Sequence, residues 1–523
     1  MSQFVFGAVR LEDISVVKLR AEIFAEGGDV LLPQDGALLR LILGQTLGFR
    51  LVRKLVNPFD QLVHVHNLST PAYILAFPAC SVKGSSEQIS GCAQRIYSEL
   101  PKETLASGCA LGYNIPINFG GNAMKVMVIG GGASGMMAAL TASEQNNNEV
   151  LLLERQARMG RKLLATGNGR CNLTNCNLTR ENYHGELPDF CGYALREFGV
   201  EETLAFFHSL GLLTVTEDSG RVYPLSDSAN SVADVLRLTL EQRENASIVT
   251  GAEVTELRRK KGRFYATAGE QTFEADRVIV CAGGAAGAKL GGTDLGYRLL
   301  TSFGHTRTKL YPALVQLRTD TTYVRSLKGV RCDAAVRCGR ETGRGEVQFT
   351  DYGVSGPVIF ELSRAVSVGG AEQTLLLDLL PDISAEELTE LLQSRCTALP
   401  QLKAEDLLTG MLHNRLGRTL LRACGFSLEM PCGEFDGEMR AALGKKIKHF
   451  ALPVLGTMGM DGAQVTAGGI RTAEFDEKTM ESRLCSGLYA AGEVLDIDGD
   501  CGGYNLQWAW SSGRLAGELR GKK

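Results

Sequence analysis

The sequence offers no run of about eighteen uninterrupted apolar residues, which excludes a membrane-spanning helix. It has no Cys-x-x-Cys pair and no cysteine–histidine pattern with metal-ligand spacing, so no metal site is expected. The 14 cysteines are scattered, and in a chain of 523 residues they read as mostly buried, reduced thiols of a cytoplasmic protein. The opening stretch MSQFVFGAVRLEDIS carries neither the basic start nor the apolar core of a secretion signal, which points the same way. Positive charge is not in surplus either. Lys and Arg number 55 against 59 Asp and Glu, a net charge of −4, which argues against a nucleic-acid or anionic-membrane partner. What is present is ordinary for a globular protein, 44% hydrophobic and 22% charged, and too long for one core, so two to four domains are expected. Glycine is the abundant residue: there are 61, clustered in motifs rather than spread as linkers.

The clearest of these motifs is KVMVIGGGASGMMAALTASEQNNNEVLLLE, residues 125–154. It reads as strand, glycine turn, helix, strand, acid. Gly130 lets the chain turn sharply, Gly132 lets backbone approach a pyrophosphate, and Gly135 lets the helix pack close to the strand. The helix, with Ala133 and Ser134 at its start, aims free N–H groups and partial positive charge at the phosphates. Glu154 ends the next strand, where a carboxylate accepts from ribose hydroxyls. The motif predicts a dinucleotide site.

Around it the chain falls into segments of different character. Residues 1–123 hold short apolar stretches at 37–43 and 73–77 and a polar Gly/Asn linker at 107–123, and are open to two readings, a small appended domain or an extension upstream of the catalytic body. Residues 124–310 are α/β, with helices predicted over 202–210 and 228–244 and strands over 248–257, 263–268 and 272–280. The basic run RRKKGR (258–263) reads as a solvated hairpin. Residues 311–380 are rich in β-branched residues and turns and read as an inserted β domain; 381–455 read as a small helical domain; 456–523 return to strand–glycine character and close on a helix from Tyr504. The fold expected is a Rossmann-like domain assembled from N- and C-terminal segments, with those two insertions.

Three further stretches carry chemistry. GLYAAGEV (487–494) is a strand ending at Gly492 and Glu493, followed by a glycine turn and helix, GDCGGYNLQWAWSSG (499–513). A flavin requires such an arrangement: a carboxylate near the ribityl chain and a helix N-terminus facing the charge on the reduced ring. RMGRKLLATGNGRCNLTN (158–175) places Arg161, Lys162 and Arg170 where they neutralise a pyrophosphate. CAGG (281–284) reads as the chain crossing back beneath the cofactor.

VIGGGASG (128–135), GRKLLATGNGRCNLTN (160–175), GRVYPLSDSA (220–229), FTDYGVSGP (349–357), TAGGI (466–470) and AAGEVLDIDGDCGGYNLQWAWSSG (490–513) together resemble the YhiN/BaiN-like family of FAD-dependent oxidoreductases. The resemblance runs from Met124 to the C-terminus in family order. It implies FAD contacts at Gly130, Gly132, Ala133, Ser134, Gly135, Glu154 and Arg155. Further contacts are implied at Arg161, Lys162, Arg170, Cys171 and Asn172, at Val254, at Ala282, Gly283 and Gly284, and at Gly492, Glu493, Asn505 and Leu506. It also implies reduction of conjugated C=C bonds in a small apolar 3-oxo steroid or bile acid, by hydride transfer from flavin N5, with NAD(P)H as electron donor.

No residue identifies itself as the proton donor; Tyr504 and Tyr352 are phenols placed by analogy only. Two other functions compete. Cys171 and Cys176 form a C-x₄-C pair that would suit a flavin disulfide reductase, although no second nucleotide fingerprint accompanies it. RRKKGR would suit an RNA-associated flavoprotein, against the acidic balance of the chain.

Overall fold

The computed structural model describes residues 2–9, 16–23, 62–66, 71–75, 123–370 and 373–521. Chain contacts divide it into two units, Met1–Ile117 and Asn118–Lys523. In the first, Ser2–Val9 pairs antiparallel with Val16–Ile23, and Leu62–His66 with Pro71–Leu75. The apolar stretch at 37–43 and most of the linker at 107–123 lie outside the described residues.

The second unit is built on a five-stranded parallel sheet in the order Ala246–Thr250, Asn148–Glu154, Met124–Ile129, Arg277–Val280, Leu488–Ala490. Val126 to Ile129 are buried in succession rather than alternately, as expected of a parallel strand covered on both faces. The first strand in sequence lies in the middle, and the winding reverses between it and Arg277–Val280. Crevices open at such reversals, beyond the carboxyl ends of the strands. Both glycine turns, Gly130–Gly132 and Cys281–Gly284, therefore emerge side by side at the switch point.

The predicted strands at 248–257 and 272–280 each prove to be two. At Gly251, φ +72°, the chain leaves the parallel sheet for an antiparallel meander of Val254–Lys260, Arg263–Ala268 and Gln271–Ala275. At Asp276, whose N–H donates to the Lys125 carbonyl, it returns. Strand-forming residues continue across each switch with only residues 251–253 or Asp276 between, so the sequence reads straight through. Lys261 and Gly262, both at positive φ, close the first hairpin with a two-residue turn. The basic run on this turn is paired at its two ends: Arg258 pairs with Glu256 at 2.6 Å, and Arg263 with Glu274 and with Asp276.

Two helices lock the first and last segments together. Ala133–Ser143 is buried along almost its whole length, against Tyr504–Gly517. A Cβ at Gly513 would lie 2.5 Å from the Ser134 carbonyl oxygen, and one at Gly517 2.5 Å from that of Ala138. The two backbones thus touch, and only glycine fits at these positions.

The insertion is a closed six-stranded barrel, Leu317–Thr319, Gly353–Ser355, Glu341–Phe349, Arg331–Cys338, Gln373–Asp378 and Phe450–Thr457, with the helix Pro357–Gly369 packed on it. Helices Ala385–Ala398, Asn414–Ala423 and Gly437–Lys448 share its core. The sixth strand straddles the boundary drawn from sequence at 455. It buries Phe450, Leu452 and Val454 in strict alternation, but a helix runs directly into it. No helix among the described residues is long and apolar enough to cross a membrane.

A buried histidine ties the C-terminal segment to this body. His305 stacks on Phe475 with ring centroids 4.4 Å apart. Its Nδ1 meets Glu474 Oε2 at 3.0 Å and its Nε2 meets Ser482 Oγ at 2.9 Å. Burial lowers its pKa below the ordinary 6.5, opposed by Glu474. The unfolded chain then binds a proton that the folded chain resists, so stability is complete above pH 6.5 and is lost as pH falls through the folded value. Thermal unfolding of the wild type is expected to shift downward from pH 7.5 to pH 5.5 more than that of His305→Gln. Equal shifts would remove His305 as the titrating group.

Candidate cofactor cleft

The cleft opens at the switch point and encloses about 1280 Å³, part of it open to solvent. Its floor is the fingerprint. Gly130, at φ +107°, abuts the Cys281 carbonyl so closely that any side chain would collide, and a Cβ on Gly135 would overlap the Gly130 carbonyl oxygen. Gly132 is different: a Cβ there would meet nothing within 4 Å, because it points into the cleft. No side chain caps the helix that starts at Ala133, so its first N–H groups are left for a ligand.

Glu154 is buried and held from both sides. Its Oε2 accepts from the Gly131 N–H at 2.6 Å and its Oε1 from the Gln156 N–H at 2.7 Å. Each carboxylate oxygen keeps a lone pair free. Glu493, on the far wall, accepts from Lys162 Nζ at 2.7 Å and from the Thr466 N–H at 2.8 Å. The Lys162–Glu493 ion pair therefore spans the cleft and joins the loop after Glu154 to the C-terminal segment. Gly284 passes so close to Glu493 and the Thr466 hydroxyl that a Cβ would come within 2.5 Å of each.

Of the residues expected from sequence, the cleft brings together Gly130, Gly132, Ala133, Ser134, Glu154, Arg155, Arg161, Lys162, Val254, Ala282, Gly283, Gly284, Glu493, Asn505 and Leu506. Others stand behind the wall. Gly135 serves helix–strand contact. Gly492 packs on Ser134, donates its N–H to Ser512 Oγ at 2.9 Å and accepts from Trp508 Nε1 at 3.2 Å. Asn505 also staples the preceding loop, accepting from the Gly499 N–H at 2.8 Å and donating to its carbonyl at 2.7 Å.

The loop at 158–175 departs most from expectation. Positive φ at Gly167, Asn168, Gly169 and Cys171 coils it, and Arg170 leaves the cleft to pair with Asp227 and Glu217 and to lie 3.9 Å over the Tyr223 ring. Arg170 is not a phosphate ligand in this arrangement. Cys171 is fully buried, and burial pushes its thiol up to about 12, so it offers no thiolate at neutral pH; Cys176 is exposed, and neither lines the cleft. The disulfide-relay reading loses its chemistry here. Asn172 is buried with its Oδ1 lacking a hydrogen-bond partner among the described residues, and it too does not line the cleft. Tyr352 is half-buried and lies off the cleft, as does Tyr504.

Sequence reasoning missed Gln156, Gly291, Gly292, Thr293, Gln464 and Val465, which also line the cleft. The Gly-Gly-Thr turn was a legible signal; Gln464 precedes and Val465 opens the strand that pairs with Tyr311–Ala313, which only the fold brings near.

An open glycine, an uncapped helix and an anchored carboxylate fit an adenine dinucleotide that continues toward the C-terminal helix. The comparisons agree. The chain is 40% identical over 380 residues to a 3-dehydro-bile acid delta(4,6)-reductase of Clostridium scindens, covering 71% of this chain and 92% of that one. It is 29% identical to the ribosomal RNA dihydrouridine synthases of Escherichia coli, over 69% of this chain and 89% of that one, and of Haemophilus influenzae, over 68% and 88%. The family model described as HI0933-like protein Rossmann domain matches residues 124–519. The chain belongs to this HI0933-like family of FAD-dependent oxidoreductases.

Proposed function

We propose that the protein reduces carbon–carbon double bonds conjugated to a ketone in a 3-oxo steroid or bile-acid-type substrate, with NAD(P)H as the source of electrons. The observation that carries this reading is the 40% identity to the bile acid reductase across 92% of its length, against 29% to the RNA enzymes. Bound FAD would supply the hydride, delivered to the β-carbon of the enone. The chain's own residues supply the rest. The uncapped helix at Ala133, with Arg161 and Lys162, would hold the pyrophosphate, and Glu154 the ribose. The N-terminus of Tyr504–Gly517, likewise without a side-chain cap, would stabilise negative charge on the reduced ring.

A second reading has a specific observation behind it. A dihydrouridine differs from uridine by one saturated C=C bond beside a carbonyl, so both relatives' names describe the same bond class. The two readings then differ in substrate alone, a small apolar ketone or an RNA uracil. The net charge of −4 favours the small molecule. Anaerobically reduced protein is expected to be reoxidised by a 3-oxo-4,6-diene steroid at least about 100-fold faster than in buffer, the scale of a positioned catalytic site. Reoxidation by unmodified ribosomal RNA and not by any enone would replace the steroid reading with the RNA one.

A further inference from the structure

Beyond the glycine turn that opens the C-terminal helix lies a group of polar side chains that the cofactor cleft does not use. Arg221, on the strand Arg221–Pro224, brings its Nε within 3.5 Å of where a Gly502 Cβ would stand. Glu361 comes from the barrel helix Pro357–Gly369, and Cys501 and Tyr504 from either side of Gly502–Gly503. The neighbouring charges are already matched: His184 Nε2 meets Asp500 at 2.8 Å and Arg364 binds Asp498 at 2.7 Å. The side chains of Arg221, Glu361, Cys501 and the Tyr504 hydroxyl have no hydrogen bond or ion pair among the described residues. Solvent reaches Glu361, yet enough protein surrounds it that burial raises its carboxyl above the usual value; burial likewise pushes the Cys501 thiol up to about 11. An always-charged guanidinium, half-buried and joined to no carboxylate by a hydrogen bond or ion pair, is an arrangement awaiting an anion.

One apolar cluster links this group of side chains to the wall of the cofactor cleft. Cys501, Tyr311 and Phe360 pack on the small cluster of Ala313, Leu314, Val465 and Ala467, and Val465 also lines the cofactor cleft. Resting on the proposed enone reduction, we propose that Arg221 is the residue that binds the substrate's carbonyl oxygen and stabilises the enolate formed there. Bound two-electron-reduced FAD would supply the hydride for the new C–H bond at the β-carbon. The C=C electron pair would shift to the enolate, whose charge would rest on the oxygen beside Arg221. A proton from the surrounding acids, replaced from water, would complete the α-carbon, so that the substrate gains two electrons and two hydrogens.

Arg221→Met and Arg221→Lys test this. Both are expected to keep wild-type FAD content and wild-type reoxidation by oxygen, since Arg221 holds no structural bond. Reoxidation of the reduced Met variant by a 3-oxo-4,6-diene steroid should slow about 100-fold at saturating substrate, the usual loss for one oxyanion donor, with the Lys variant between. An effect on affinity alone, with the saturated rate unchanged, would overturn the enolate role and make Arg221 a carboxylate anchor. A second readout needs no turnover: 4-nitrophenolate, an enolate mimic, should bind the oxidised wild-type protein and bind the Met variant at least about 30-fold more weakly, as expected when a charged hydrogen-bond donor is lost. Equal binding overturns the proposal even if the enones prove not to be substrates. If no enone reoxidises the wild type while nitrophenolate still requires Arg221, the anion site stands and the steroid reading falls.

Discussion

Gly135→Ala is expected to yield little folded protein, whereas Gly132→Asp is expected to fold normally and purify without its yellow cofactor. Both are fingerprint glycines, three residues apart, and a sequence pattern treats them alike. Their surroundings do not. A Cβ on Gly135 overlaps the Gly130 carbonyl oxygen and presses on Cys281. The obstacle is the backbone of the tight turn between strand and helix, which cannot rotate away. Relief requires the helix Ala133–Ser143 to separate from the first strand, and with it from Tyr504–Gly517. Overpacking of a rigid interior costs about 1–3 kcal/mol even when side chains can adjust, and here they cannot. Gly132 has φ −78° and ψ −168°, an extended conformation open to any residue, with empty space ahead of it. Asp at this helix N-cap position would even strengthen the uncapped helix, by about a few tenths of a kcal/mol relative to Gly. It would also set a carboxylate where the pyrophosphate is proposed to lie. Two like charges about 4 Å apart repel by about 4 kcal/mol at a surface-like dielectric, so FAD affinity should fall by more than about 100-fold. Thermal unfolding and FAD titration separate the outcomes. A Gly132→Asp protein that retains FAD would move the phosphate site elsewhere.

This contrast marks what the sequence made legible. The strand, turn and helix at 125–154 were readable because each glycine answers a demand made by its immediate neighbours. Glu154 was readable because it ends a strand whose partner ends in the glycine turn. Arg170 was not, although the charge argument for it was sound. Its direction depends on positive φ at Asn168 and Cys171, neither of them glycine, and on the acids Glu217 and Asp227 waiting some fifty residues later. The sheet switches at Gly251 and Asp276 stayed hidden because β-branched and apolar residues run on through both, and only one or a few residues separate the paired strands. The barrel was legible as β structure but not as closed, since its sixth strand arrives only after the helices over 385–448. The Arg221 group was the least legible. Its members come from residues 221, 361, 501 and 504, and nothing local to any of them says that the others are near.

Glu154→Ala should weaken FAD binding by about 100-fold and also destabilise the cofactor-free protein. In the folded chain the carboxylate is the acceptor for two backbone donors, Gly131 N–H at 2.6 Å and Gln156 N–H at 2.7 Å. Removing it strands both N–H groups in a buried setting, at a cost of about 1–3 kcal/mol for each donor that finds no water. Gly131 belongs to the turn that shapes the phosphate site, so loosening it disturbs the pyrophosphate as well as the ribose. Hydrogen bonds to a charged group contribute about 1.5–3 kcal/mol, and loss of the ribose contact alone accounts for most of the 100-fold. Glu154→Gln separates the two roles. Its amide oxygen can serve one of the two backbone donors, while its NH₂ faces the other, so stability should recover only in part. The amide has no second acceptor to offer a ribose diol, so FAD affinity should remain low. Titration of both variants with FAD, alongside their unfolding midpoints, gives the readout. If Glu154→Gln binds FAD as the wild type does, Glu154 is a staple of the glycine turn and not a cofactor ligand.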